Sequence, residues 1–323
     1  MLSSIFSNPI LIGLFLVVGL VLLVKGADWL VDGAASFAKR MGVTDLMIGL
    51  TIVAFGTSMP EFVVNMVSVA DGATDLAITN ILGSNIINTL VILGCSALVY
   101  PLVAQRSTIR IDIPLNILAG VLVLVFVFIT APMEEPGLSR IEGLALIVVF
   151  AAFLIYTLYP AKDESAVSDK HASLPVWKCV LLILSGLICL VVGGEMIVKG
   201  AVAIARYCGV AESVIGLTIV ALGTSLPELA TSVVAAFKHN NDIAIGNVVG
   251  SNIFNVFFIL GASATIQFLP VYPGIEIDAA LVALSAVAVW LLLSNKKRTV
   301  NRWGGAVLLL IYAAYLTYRL LSY

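Results

Sequence analysis

Stretches of about 20 predominantly apolar residues recur from one end of this 323-residue chain to the other. No other feature narrows the possible folds as far. A helix of that length matches the hydrocarbon thickness of a bilayer. In lipid every backbone N–H and C=O must pair inside the structure, which leaves helices and closed barrels as the only spanning forms. Runs this long and this continuous select helices. The composition agrees: 61% of residues are hydrophobic and 11% charged, against roughly 25% charged in a soluble domain.

The runs predict ten spans, at roughly Ile10 to Val31, Asp45 to Ala70, Leu76 to Tyr100, Ile111 to Ala131 and Leu138 to Leu158, then Val176 to Ala203, Ser213 to Phe237, Ile243 to Phe268, Ile277 to Leu293 and Trp303 to Leu321. The first lacks a basic leader and a small-residue cleavage site, so it is expected to stay as a helix rather than leave as a signal peptide. Cys95, Cys179, Cys189 and Cys208 have no Cys-x-x-Cys spacing and read as small packing residues rather than a redox or zinc site. Nothing basic and clustered suggests nucleic acid. Trp177 and Trp303 begin spans, where an aromatic ring anchors at the interface.

Basic residues in short loops predict the orientation. Lys25 and Lys199 fall inside spans and are set aside. One set of alternate loops holds Lys39, Arg40, Arg106, Arg110, Lys162, Lys170, Lys178, Lys238, Lys296, Lys297, Arg298 and Arg302, the other only Arg140, Arg206 and Arg319. Twelve against three places both termini outside, extracellular or periplasmic.

The chain also repeats itself. Gly49 to Glu61 matches Gly216 to Glu228 at 11 of 13 positions with an offset of 167, and Asp75 to Gly94 matches Asp242 to Gly261 at 12 of 20 with the same offset. Gly26 and Gly33 fall on Gly193 and Gly200. Five spans per copy set the two copies in opposite orientations, the inverted repeat on which many secondary transporters build alternating access. The expected organisation is a first five-helix repeat at 1–159 with its motif at 49–94, a polar cytoplasmic connector at 160–174, and a second repeat at 175–323 with its motif at 216–261.

Nearly all of the 19 acidic residues lie in loops or near span ends, but Glu61 and Glu228 fall near the middle of the second and seventh spans. A charged residue there costs about 2.5 to 3.5 kcal/mol on insertion scales, which calls for a partner or a function. Neither span contains Lys, Arg or His, so a cation from water is the simplest compensating charge. Gly56-Thr57-Ser58-Met59-Pro60-Glu61 and Gly223-Thr224-Ser225-Leu226-Pro227-Glu228 put glycine and proline in mid-helix. Proline removes a donor and breaks the ladder, so carbonyls near Ala54, Thr57, Ala221 and Thr224 are expected to become available as ligands. Thr57, Ser58 and Glu61 share a face, which Asn65 and Ser232 extend in the two copies. On the third and eighth spans Asn80, Ser84 and Asn88, and Asn247, Ser251 and Asn255, recur every four residues and can each face a glutamate. These are oxygen donors, the preference of hard cations such as Ca²⁺ and Na⁺. Gly83, Ser84, Gly250 and Ser251 suit close helix packing equally well.

Other acids read as structural: Lys25 with Asp28 and Glu195 with Lys199 as surface ion pairs, Asp75 and Asp242 as N-caps.

The paired Gly-Thr-Ser-x-Pro-Glu and Gly-Ser-Asn-Ile-x-Asn segments resemble the two alpha repeats of the sodium/calcium exchanger family, in the calcium:cation antiporter superfamily. The resemblance implies an all-α membrane protein of ten helices as two inverted five-helix repeats, with helices 2 and 7 broken. It implies exchange of Na⁺ for Ca²⁺, commonly three for one, as the first and sixth helices slide across the other eight. By position, Glu61 and Glu228 match the family's calcium-binding carboxylates and Thr57 and Thr224 offer backbone carbonyls, while the sodium ligands include Ala54, Ser58, Ser84, Ala221, Ser225 and Ser251. Asn88 and Asn255 stand where some members carry aspartate, so this chain lacks a third intramembrane charge there, a departure that argues against potassium-dependent exchange. Proton-coupled members typically show Gly-Asn-Ala-x-Glu instead, which favours sodium here.

The implied substrates are Ca²⁺ and Na⁺, with no cofactor, no protein partner evident in the sequence, and a prokaryotic plasma membrane as the location. Ca²⁺/H⁺ exchange is the rival within transporters. An intramembrane hydrolase built on Ser58 or Ser225 would lack a base, since His171 and His239 lie in loops. A channel would also use carboxylates, but the inverted repeat with broken helices favours alternating access.

Overall fold

The computed structural model describes residues 9–130, 136–158, 174–210, 215, 219 and 221–321. Helices dominate: Pro9–Met41, Asp45–Thr57 with Met59–Ala70, Thr74–Val99, Thr108–Ile129, Arg140–Leu158, Val176–Tyr207, Ala221–Thr224 with Leu226–Phe237, Asn241–Ile266, Ile275–Leu293 and Arg302–Leu321. They are called the first to tenth spans below. The entry to the seventh span, expected from Ser213, and the connector at 160–173 lie mostly or wholly outside the described residues.

The first and sixth spans are longer than their apolar runs suggested, reaching Met41 and Tyr207 at 33 and 32 residues. At 1.5 Å per residue each is about 50 Å long, well beyond a hydrocarbon core of about 30 Å. They pack on each other through glycines. A Cβ on Gly26 would sit 2.7 Å from the carbonyl oxygen of Gly186, and a Cβ on Gly193 would sit 2.7 Å from that of Gly19. Because Gly19 maps to Gly186 and Gly26 to Gly193 at the repeat offset of 167, these are the same contact made twice about a pseudo-twofold axis. Only a residue without a side chain permits the approach.

The third and eighth spans occupy the centre, where apolar side chains such as Ile81, Leu90, Ile253 and Phe257 are fully buried. Phe254 and Phe258 of the eighth span stack on each other and continue to Phe62 and Phe150. Short antiparallel ladders, Leu102–Val103 with Thr299–Val300 and Gly137–Leu138 with Leu269–Pro270, tie loops of one half to loops of the other. They too are arranged in a pseudo-symmetric pair.

The second span breaks at Ser58, where Asp45–Thr57 and Met59–Ala70 bend by 46°. Pro60 lies at the start of the second segment, so its missing N–H falls where a helix has no donor to lose. The expectation about Ala54 needs correction: its carbonyl is not released, because it keeps its helical partner, the N–H of Ser58, at 3.0 Å. The carbonyl that loses its donor to a proline is that of Gly56, four residues before Pro60.

Among the described residues, π-helical turns lie at Gly49–Val53, Ile87–Ile92, Thr108–Asp112 and Phe254–Leu260. The apolar pattern does not disclose them. Each adds a residue to the turn and rotates the remainder of its helix.

The caps also differ from expectation. Asn240, not Asp242, caps the eighth span by accepting the Ile243 N–H, and the third span's cap position is Ala73 rather than Asp75. Asp242 instead accepts from Gln105 at 2.6 Å. Lys25 lies 3.9 Å from Asp28 and Lys199 2.6 Å from Glu195, as their spacing predicted. Asp28 also reaches Lys238 across the bundle at 2.6 Å. Among the cysteines Cys179 is buried, Cys95 and Cys189 are half-buried, and Cys208 is exposed rather than packed.

Candidate functional site

The two breaks bring the halves together. Glu61 follows the break in the second span by one turn and Glu228 does the same in the seventh, and both are buried, at 1% and 0% exposure. Their serines cross over. Ser58 Oγ donates to Glu228 Oε1 at 2.8 Å, and Ser225 Oγ donates to Glu61 Oε1 at 3.3 Å. Each repeat therefore holds the other's carboxylate through the residue at its own break. The hydroxyl of Thr224 faces Glu61, and those of Thr57 and Ser251 face Glu228, outside hydrogen-bond geometry.

The unsatisfied atoms define the chemistry. Glu61 Oε2 and Glu228 Oε2 are buried without a hydrogen bond, as are Ser84 Oγ, Ser251 Oγ, Thr224 Oγ1 and both polar atoms of Asn88. The two carboxyl groups sense each other electrostatically, and among the described residues no Lys or Arg pairs with either. Buried carboxylates with spare lone pairs and no positive neighbour are strongly destabilising unless a cation or proton joins them. Two carboxylates, several hydroxyls and amide oxygens form a hard-cation donor set.

Asn80 and Asn247 buttress the helices that carry the glutamates. Asn247 Nδ2 donates to Ser232 Oγ at 2.9 Å and to the Glu228 carbonyl at 3.3 Å, while its Oδ1 accepts from Thr57 Oγ1 at 3.0 Å. Its counterpart Asn80 donates to Asn65 Oδ1 at 2.8 Å, the equivalent contact, since Asn65 stands at the position of Ser232. Asn65 also reaches the Ala77 carbonyl at 3.1 Å. The eighth-span stripe thus faces its glutamate through Asn247 and Ser251, whereas Asn255 turns away and donates to Asn85 Oδ1 at 3.0 Å. Ala54 lies at the turn before the break, and Ala221 opens the corresponding short helix of the seventh span.

Two asparagines that the sequence reading did not single out join the halves directly. Asn85 Nδ2 donates to the Asn252 carbonyl at 3.2 Å, and Asn252 Nδ2 donates to Thr89 Oγ1 at 2.8 Å. A signal for them existed: both belong to the duplicated Gly-Ser-Asn-Ile segment, one position past the serines.

Comparison with known proteins agrees with this arrangement. The sodium/calcium exchanger protein family matches residues 11–159 and 178–321. A putative antiporter, CaxA, of Alkalimonas amylolytica is 38% identical over 94% of this chain and 96% of its own. The sodium/calcium exchanger MaX1 of Methanosarcina acetivorans is 30% identical over 94% of this chain and 97% of its own. Among solved structures, the sodium-calcium exchanger NCX_Mj superposes with a TM-score of 0.78 at 31% identity, covering 96% of this chain and 99% of that one. Ten spans, an inverted repeat and a central pair of carboxylates thus have a common explanation: the chain belongs to the sodium/calcium exchanger protein family and is an integral-membrane cation antiporter.

Proposed function

We propose that this protein exchanges Na⁺ for Ca²⁺ across the membrane, electrogenically, with Glu61 and Glu228 as the shared carboxylates. The observation that carries this reading is the crossed pair Ser58–Glu228 and Ser225–Glu61, which leaves one oxygen of each carboxylate buried and unpartnered. One Ca²⁺ neutralises both charges. Several Na⁺ do the same by spreading over the carboxylates, the hydroxyls of Ser58, Ser225, Ser84 and Ser251, and the carbonyls of Ala221, Thr57 and Thr224, while the Ala54 carbonyl stays with its helical partner. Asn88, whose amide is buried without a hydrogen bond, extends the polar lining without adding charge, while Asn255 is held by Asn85. Filled with either ion the site can cross; empty and doubly charged it cannot.

At three Na⁺ per Ca²⁺ one net charge moves per cycle, so 100 mV contributes about 2.3 kcal/mol. A tenfold Na⁺ gradient adds about 1.4 kcal/mol per ion. Together these come to about 6.5 kcal/mol, enough to sustain a Ca²⁺ gradient of between four and five decades. The first and sixth spans, one from each five-helix repeat, would slide across the other eight, with the repeats joined by the connector at 160–174 and both termini outside; cysteine labelling at Arg106 and at Arg206 from each side tests the orientation.

The deciding measurement is Ca²⁺ uptake into proteoliposomes loaded with Na⁺, against vesicles without the gradient and vesicles with a pH gradient alone. Uptake only with outward Na⁺ is expected. Uptake driven by the pH gradient alone would replace this reading with Ca²⁺/H⁺ exchange, and no uptake under either would remove Ca²⁺ as the substrate.

A further inference from the structure

The repeat supplies an internal control at a second buried carboxylate. Ile109-Arg110-Ile111-Asp112 opens the fourth span and Ile275-Glu276-Ile277-Asp278 opens the ninth, an offset of 166. Asp278 is fully provided for: Tyr272 Oη donates to it at 2.7 Å, Tyr315 Oη at 2.8 Å, and Arg319 lies at 3.3 Å. Asp112 has nothing. It is 1% exposed and neither carboxylate oxygen has a hydrogen-bond partner.

The fifth span explains the difference. A Cβ on Gly143 would sit 2.7 Å from the Gly261 carbonyl oxygen, as one on Gly305 would from that of Gly94, so the fifth and tenth spans correspond at an offset of 162. That register puts Thr157 at the position of Arg319 and Phe153 at that of Tyr315. The first repeat has therefore lost both the cation and the phenol donor. Thr157 Oγ1 is itself buried and unpartnered, as are Thr108 Oγ1 and Asn116 Oδ1, one turn either side of Asp112 on its own helix. Tyr156, next to Thr157, is electrostatically coupled to Asp112. A groove of about 410 Å³, lined by Arg110, Phe153 and Tyr156 among others, lies between the fourth and fifth spans, and Asp112 does not line it.

We propose that Asp112, with Thr108, Asn116 and Thr157, forms a monovalent-cation site separate from the paired glutamates, taking one proton or one sodium ion. The donor set carries a single negative charge, so one positive charge balances it, and its orphaned oxygens need either an O–H donor or a metal ion. The ionisable groups on the elements around it are Arg106 and Arg110 on its own segment, Arg140, Glu142 and Tyr156 on the fifth span, Asp242 on the eighth, and Glu276 and Asp278 at the far end of the ninth. None of them bonds to Asp112.

The test uses the full-length protein in detergent with Glu61→Gln and Glu228→Gln together, which removes the central charges. Thermal unfolding is followed against Na⁺ at constant ionic strength and, separately, against pH. A residual stabilisation by Na⁺ or by acid is expected, absent when Asp112→Asn or Thr157→Arg is added; persistence of that titration in either added variant would overturn the proposal. Infrared spectra of the otherwise unmodified protein, wild type against Asp112→Asn, provide a readout that does not depend on the double variant. A carboxylic C=O band belonging to Asp112 that disappears as pH rises identifies a proton, and an Asp112 carboxylate band that shifts on adding Na⁺ at fixed pH identifies sodium. A carboxylate band indifferent to both would reject the site.

Discussion

The first and sixth spans and the third and eighth spans are both repeat-related pairs, yet they are built on opposite principles. The outer pair meets backbone to backbone through Gly19, Gly26, Gly186 and Gly193, and the faces that look away, with Leu14, Val21, Leu181 and Ile188, are exposed to lipid. The inner pair is buried and is cross-linked by amides, with Asn85 on Asn252 and Asn252 on Thr89. Close apolar packing in lipid is non-directional and tolerates displacement as a unit. Amide bridges fix a register, because moving them strands polar groups. The contrast is what an antiporter needs: a frame that stays and a pair that can move past it.

Four substitutions probe this contrast, from the largest expected effect to the smallest. Glu228→Gln removes one of the charges around which the inner frame is organised. Ion-driven Ca²⁺ flux in proteoliposomes should fall to background while the protein still purifies as a folded monodisperse species; wild-type flux would end the two-carboxylate account.

Gly26→Leu attacks the outer pair by placing a side chain 2.7 Å from the Gly186 carbonyl. Overpacking of this kind costs about 1 to 3 kcal/mol or more, and a lowered unfolding temperature in detergent should register it. An unchanged midpoint would mean that the seam is not tight.

Asn252→Ala removes the bridge to Thr89 from the inner pair. Interhelical hydrogen bonds in membranes average about 0.6 kcal/mol and reach about 1.7, so the midpoint should drop by less than for Gly26→Leu. A larger drop would reverse the ranking of the two pairs.

Lys238→Ala cuts the tie between the seventh span and the first, where Lys238 lies 2.6 Å from both Asp28 and Asp32. Partly exposed pairs of this kind contribute about 0 to 1 kcal/mol. Burial acts to lower the Lys238 pKa, but the bonds to Asp28 and Asp32 outweigh it and hold the group above its ordinary value. Its contribution is then complete below the unfolded lysine value of about 10.4 and is lost only as pH rises through the still higher folded value. The difference between wild type and Lys238→Ala should therefore be flat across neutral and mildly alkaline pH. A difference that vanishes near neutrality would assign the stabilisation to another group.

Much of this molecule is legible without coordinates. Lipid cannot satisfy a backbone, so long apolar runs have to be helices, and a charge such as Glu61 or Glu228 cannot sit in one without a purpose. Duplication at a constant offset identifies Gly56-Thr57-Ser58 and its twin as a pair and implies their opposed orientation. These properties depend on composition and local spacing along one chain, which a sequence contains in full.

Contacts between the copies are of another kind. An offset relates equivalent residues but does not say which ones meet, so spacing groups Ser58 with Glu61 on its own helix although it reaches Glu228. Proline at position 60 promises a free carbonyl at Ala54, yet the helix closes onto that oxygen before the break. Regular spacing puts Asn255 in line with Asn247 and Ser251, yet it lies in a π turn and donates to Asn85 instead. Asp112 reads in the sequence as one more acid near a span end, and only its twin, wrapped by Tyr272, Tyr315 and Arg319, shows how bare it is. Sequence by itself determined the medium, the helices, the repeat and the two glutamates, because each depends on the chemistry of a residue and its near neighbours. Only the tertiary structure decided which oxygens are shared and which are left bare, because that is settled over about 2.5 to 3.5 Å between residues far apart in the chain, 170 positions for Ser58 and Glu228.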